Sequence, residues 1–242
     1  MWLSRRNSGV GRGFAGGTGP CARRHSNRRQ AGTGECEDRA GRRREVTRMR
    51  TLFLPGLLSD GRVWQEVADR LNLPLLLADL TRDDTIGGMA ARALVDFDGP
   101  ISVMGHSMGG RVAIEMARLQ PGRVTSLVLA NTGHTSMKPG EEEKRGRLVD
   151  LGQRDMRELA EVWLPPMLAP DRIADLSLVD DLTQMVIKAG PEVHERQIRA
   201  LLSRPDAGTD TPRYHLSGSA DDRRPGWVVA GSTAPRNGCN DV

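Results

Sequence analysis

The fold is decided by residues 101–119, ISVMGHSMGGRVAIEMARL. The stretch opens with an apolar run, residues 101–104, of the length expected for a buried strand. It closes in an amphipathic helical pattern carrying Arg111, Val112, Ala113, Ile114, Met116 and Ala117. Between them stands Gly105-His106-Ser107-Met108-Gly109-Gly110. A serine with a glycine two residues away on either side, on a tight turn from strand to helix, is the arrangement that presents a hydroxyl as a nucleophile. Glycine is needed because backbone packs against backbone there, and side chains beside the serine would clash. The helix that starts at the turn points its free N–H groups and the positive end of its dipole at the same place. Ser107 is thus the candidate nucleophile, Gly105 and Gly109 form the turn, and the Met108 N–H is a candidate oxyanion donor.

Outward from this stretch, strands alternate with helices. Residues 51–54 read as a strand ending in Pro55-Gly56. Asp60 is placed to cap a helix whose Trp64, Val67, Ala68 and Leu71 share a face. Residues 75–78 read as a buried strand, Thr85 opens a helix through Met89, Ala90 and Leu94, and residues 124–130 form a fourth strand. This alternation predicts a parallel sheet covered on both faces, an α/β fold. From Glu141 to about Ser203 only helical patterns appear, broken by Pro165-Pro166, Pro170 and Pro191. A helical insertion there would cap the C-terminal edge of the sheet, where such folds bind ligands. The loop after the first strand can lend a backbone N–H to an oxyanion hole, with Leu57 as donor beside Met108.

Composition narrows the function classes. The 242 residues carry a net charge of +4, but residues 1–48 hold 12 arginines against four acids, a net +8. The other 194 residues hold 23 basic against 27 acidic residues, a net −4. All the basicity sits in one Arg/Gly-rich segment, which reads as an unstructured extension upstream of Met49. It lacks aromatic interleaving and a binding fold, so nucleic acid is the weakest of the candidate partners. The three cysteines form no Cys-x-x-Cys pair, so neither a structural metal site nor a redox dithiol has support, and a reducing cytoplasm is the expected compartment. No apolar run approaches the length of a membrane span.

Residues 49–206 resemble the α/β-hydrolase superfamily, in particular its short bacterial esterase and lactonase members, through LFLPGLLSDGRVW, GHSMGGRVAIEMA and RVTSLVLANTG followed by a helical cap at about 141–203. The resemblance implies a serine hydrolase without metal or organic cofactor, acting on a small carboxylic ester, thioester or lactone through an acyl-Ser107 intermediate. Relatives often carry His-Gly where this chain has Pro55-Gly56, and the residue after that glycine, here Leu57, supplies the oxyanion N–H. The family order of Ser, then Asp, then His places the acid and base after the cap. This chain departs from the pattern there.

A serine hydroxyl is a weak nucleophile until a histidine takes its proton. His106 adjoins Ser107 and should point elsewhere, in a packing role. His134 and His194 read as surface or lid residues, His25 lies in the Arg-rich segment, and His215 lies in residues 207–242, where Gly, Pro, Ser, Asp and Arg dominate. Asp79 ends a strand before Ser107 in the chain, which does not fit the family's acid. Back-translated from Tyr214 and read one base on, the degenerate code permits I-T-C-P-A-L-L-M-I-G and then D-Q-D. That reads as a buried strand ending in an acid. The expectation is a reading-frame shift near Gly208, a hydrolase fold incomplete at its C-terminal end, and an uncovered edge on strand 124–130. The competing reading is a non-catalytic member of the same fold that binds a small ligand under the cap.

Overall fold

The computed structural model describes residues 50–207 in full, together with the backbone of four short strands outside that span. By its internal contacts the chain divides into Met1–Arg48 and Met49–Val242. In the first unit the described residues form two strands, Cys36–Glu37 and Arg43–Arg44, paired antiparallel. The expected unstructured arm otherwise lies outside the described residues.

In the second unit four parallel strands form the body of the sheet. These are β1 (Arg50–Leu54), β2 (Leu76–Leu77), β3 (Ile101–His106) and β4 (Val124–Ala130), in spatial order β2-β1-β3-β4. Successive side chains of a strand point to opposite faces, and the two faces bury different clusters. Leu52, Leu54, Val103, Leu127 and Leu129 join the larger one, against α2 (Ile86–Asp96) and α3 (Met108–Leu119). Phe53, Met104 and Ala130 join the other, against Trp64 and Ala68 of α1 (Arg62–Leu71). The Phe53 and Trp64 rings lie 5.4 Å apart at 51°, and the indole N–H donates to the Leu54 carbonyl at 3.1 Å. A sheet buried on both faces explains why its strands read as nearly continuous apolar runs.

Local signals set the helix ends. Thr85 caps α2, its hydroxyl accepting from the Gly88 N–H at 3.0 Å. Asn72 closes α1 in the left-handed conformation, at φ 51° and ψ 45°. Gly61, rather than Asp60, is the N-cap of α1, and the Asp60 carboxylate accepts from the Arg62 N–H at 3.0 Å from one position further back.

After β4 come only helices: α4 (Glu141–Arg154), α5 (Met156–Trp163), a 3₁₀ turn (Pro165–Met167), α6 (Leu176–Ala189) and α7 (Pro191–Leu202). The break expected at Pro191 falls between α6 and α7, and Pro191 itself begins α7, because proline at the first helical position loses no intrahelical bond. Buried Arg204 ties this insertion together. Its guanidinium donates to both Glu141 carboxylate oxygens at 2.9 and 2.6 Å, to the Thr135 and Ser136 carbonyls at 3.1 and 3.0 Å, and to the Leu201 carbonyl. All five N–H donors are used, as a buried guanidinium requires.

The expected bare edge on β4 is not what the structure contains. Two strands, β5 (Tyr214–Ser217) and β6 (Trp227–Ser232), extend the sheet to β2-β1-β3-β4-β6-β5, with β6 antiparallel to both neighbours. An open row of backbone donors and acceptors favours pairing with any strand-forming segment. Val228-Val229-Ala230, in the stretch read as irregular, supplies one. The remaining residues from 208 onward lie outside the described residues.

Candidate active site

Ser107 sits at the junction of β3 and α3 with φ 52° and ψ −115°. This region is rare for any residue with a side chain. Three contacts hold it there. The Ser107 N–H donates to the Ala130 carbonyl at 2.9 Å, the Ser107 carbonyl accepts from the Gly110 N–H at 3.1 Å, and it also accepts from the Thr132 hydroxyl at 2.7 Å. The glycines are required by space. A Cβ on Gly105 would lie 2.5 Å from the Gly109 carbonyl oxygen, and one on Gly109 would lie 2.3 Å from the Leu54 carbonyl oxygen. One on Gly110 would meet the Thr132 side chain at 2.6 Å.

Register brings the loop after β1 to the same point. Leu54 pairs with Gly105, so Pro55-Gly56 continues level with His106 and Ser107. A Cβ on Gly56 would be 3.3 Å from the Ser107 Cβ. Leu57 and Met108, the two expected oxyanion donors, follow Gly56 and Ser107 directly, and both are buried. Met108 is the first residue of α3, where backbone N–H groups lack intrahelical acceptors. Leu58 next in the loop holds φ 53°, and its N–H donates to the Gln197 side-chain oxygen of α7 at 2.8 Å.

No acid–base pair among the described residues joins this group. Among the described residues the Ser107 hydroxyl has no hydrogen bond to a histidine, and no histidine is paired with a carboxylate. His106 is turned into the protein beside Gly56, its Nδ1 buried without a partner, and burial pushes its pKa down. His194, expected as a surface or lid residue, lies on α7 of the helical insertion and is only 2% exposed, packed against Gly152. Burial, and then the nearby Arg145 charge, push its pKa down to about 4. The α4–α7 packing explains the difference, since α7 turns this face inward. His134 is exposed and offers its carbonyl to the Ala207 N–H at 2.9 Å. His215 lies on β5 in register with Gly231, which pairs with Ser126, four residues before Ala130 at the Ser107 level. That is about 13 Å down the strand from the edge bearing Ser107. Burial would raise the Asp79 pKa, but hydrogen bonds from Thr81 and Arg82 outweigh it and hold the carboxylate below its usual range.

A small cleft lined by Ile86, Arg111, His134 and Arg204 includes none of Ser107, Leu57 or Met108. Burial, then the neighbouring Arg204, brings Arg111 down to about 10, and its guanidinium donates to the Thr135 carbonyl at 2.8 Å. Among the described residues no group of three His, Cys, Asp or Glu side chains could hold a metal ion, and no helix is long and apolar enough to cross a membrane.

Residues 88–197 match the family model described as the alpha/beta hydrolase fold. Over 93 residues the chain is 34% identical to Lipase LipV of Mycobacterium tuberculosis, a match covering 33% of this chain and 36% of the lipase. It therefore spans about a third of that relative's length. Among solved structures, a thermophilic esterase from Thermogutta terrifontis superposes with a TM-score of 0.59 at 22% identity over 66% of each chain. An enol-lactonase from Burkholderia xenovorans gives 0.56 at 16% identity, over 70% of this chain and 69% of its own. These two likenesses speak for the fold. The chain has the α/β-hydrolase fold. It is similar to hydrolases named as a lipase and an esterase.

Proposed function

We propose that the chain is built for acyl transfer at Ser107, on a small carboxylic ester, thioester or lactone, and that it turns over poorly because no acid–base pair among the described residues serves the serine. The observation that carries this reading is the Ser107 backbone, at φ 52° and ψ −115° on a strand–turn–helix against Gly56. Strain of about 1–3 kcal/mol at one residue persists where surrounding structure enforces it, and such sites cluster at reacting centres. In this reading Ser107 Oγ attacks the carbonyl carbon, and the carbonyl π electrons move to the oxygen, which the Leu57 and Met108 N–H groups stabilise. Collapse expels the alcohol, thiol or ring oxygen and leaves acyl-Ser107, which water then hydrolyses. The Oγ proton must leave as the bond forms, and without a histidine it passes to solvent, which slows both halves. The cysteine pattern fits a reducing cytoplasm as the compartment.

The lack of a histidine partner on Ser107 among the described residues also favours a second reading, a ligand-binding protein on the same fold. Incubation with a fluorophosphonate separates the two. Acyl-transfer chemistry predicts one adduct per chain, mapped to Ser107 and lost in Ser107→Ala. A chain left unlabelled would favour the binding protein.

A further inference from the structure

The loop that follows β1 is fixed from outside the sheet. Leu58 is buried, has a positive φ and cannot satisfy its own N–H within so tight a turn. The Gln197 side-chain oxygen accepts that N–H at 2.8 Å, and the same amide's nitrogen donates to the Leu80 carbonyl at 3.1 Å. Gln197 is 2% exposed, so it replaces water on both backbone groups. A second group from the insertion meets the loop two residues on, where the Met185 sulfur of α6 accepts from the Asp60 N–H at 3.4 Å. Within the loop, the Gly56 carbonyl takes the Ser59 N–H at 3.2 Å and the Leu57 carbonyl takes the Ser59 hydroxyl at 3.1 Å. The peptide bearing the Leu57 N–H therefore lies between the turn against Ser107 and the Leu58 N–H held by α7.

From this geometry we infer that Gln197 is a positioning residue for oxyanion stabilisation: by holding the Leu58 N–H it orients the adjacent Leu57 N–H toward the oxygen of a Ser107 adduct. The inference rests on the acyl-transfer reading of Ser107. It couples the helical insertion to the reacting centre, since any movement of α7 relative to the sheet would release the loop. A displacement near 1 Å at such a site costs up to about a hundredfold in rate.

The test follows the rate at which a fluorophosphonate labels Ser107 in the full chain, resolved into a maximal rate and a half-saturating concentration. The phosphonyl group mimics the developing oxyanion. Gln197→Met keeps the shape and burial but neither hydrogen bond. It should lower the maximal rate at least about tenfold and leave half-saturation within about twofold. Gln197→Glu supplies a further signature that a packing role would not produce. Protonated glutamic acid can both accept from Leu58 and donate to Leu80, so its rate relative to the original chain should climb toward one as pH falls. Hydrogen exchange on the original chain covers the case in which both variants unfold. The Leu58 amide should be protected, and the Leu57 amide should gain protection on phosphonylation. Equal maximal rates for the original chain and the folded Met variant would overturn the assignment to Gln197 and leave the Ser107 reading intact. A Leu58 amide that exchanges like an open loop would do the same. A chain that fails to label at Ser107 would sink both.

Discussion

Ser107 is held in a backbone conformation that glycine adopts freely and other residues do not. Ser107→Gly should therefore be more stable than Ser107→Ala by about 1 kcal/mol in urea unfolding, although both lose the hydroxyl. Equal midpoints would mean that the turn stores no strain. Gly109→Ala should cost about 3 kcal/mol and abolish labelling, because its Cβ would meet the Leu54 backbone at 2.3 Å. Gly122→Ala, with open space around it, should stay within about 0.5 kcal/mol. His194 sets a pH dependence. Its pKa is about 4 in the folded chain against 6.5 when free, so the unfolded chain binds more protons between those values, and stability falls as pH drops from 6.5 toward 4. The loss should be on the order of 2–3 kcal/mol. His106 is shifted in the same direction by burial. His194→Gln should flatten the part due to His194, and an unchanged pH profile would show that His194 is not held neutral. The turn at Ser107 was legible because its serine and glycines lie within six residues, whereas the contacts from Ala130 and Thr132 that hold it were not. The state of His194 was not, because α4 and α7 bury it from a distance.

Strand and helix order was also written locally. Each apolar run is short, each helix carries one apolar face, and Thr85 and Asn72 mark helix ends by their own chemistry. What the sequence could not display is where polar side chains find partners. Gln197 reaches Leu58 across 139 positions and Arg204 reaches Glu141 across 63. No pattern in a single sequence joins such pairs. They matter energetically, because Gln197, Leu58 and Arg204 are buried and each pair ties together distant parts of the chain. Burial would raise the Glu141 pKa, but Arg204, the Lys138 N–H and Arg145 together hold it at about 2, and Arg204→Met would leave only the last two. We expect a loss of about 3 kcal/mol, read by chemical unfolding at neutral pH. A change below about 1 kcal/mol would show that the pair does not brace α4 against the end of α7.

For the molecule as a whole, the four parallel strands and the helices after them follow the expected α/β order, and the C-terminal part departs from what was expected. Antiparallel β6 takes the place beside β4 where a bare edge was expected. Deleting residues 208–242 would reopen that edge, and light scattering should then rise with time at concentrations where the full chain stays clear. If scattering does not change, β6 does not protect β4. The frame-shift expectation concerns residues outside the described span, and it bears on function directly. On the proposed reading, with no acid and base beside Ser107 among the described residues, the chain should form an acyl-enzyme slowly and release it more slowly still. Mixing the chain with excess p-nitrophenyl acetate and following p-nitrophenol tests this most directly. The account predicts a slow release approaching one equivalent per chain, absent in Ser107→Ala, and then near-arrest. Sustained turnover near the roughly 10 per second of an ordinary enzyme, abolished in Ser107→Ala, would contradict it.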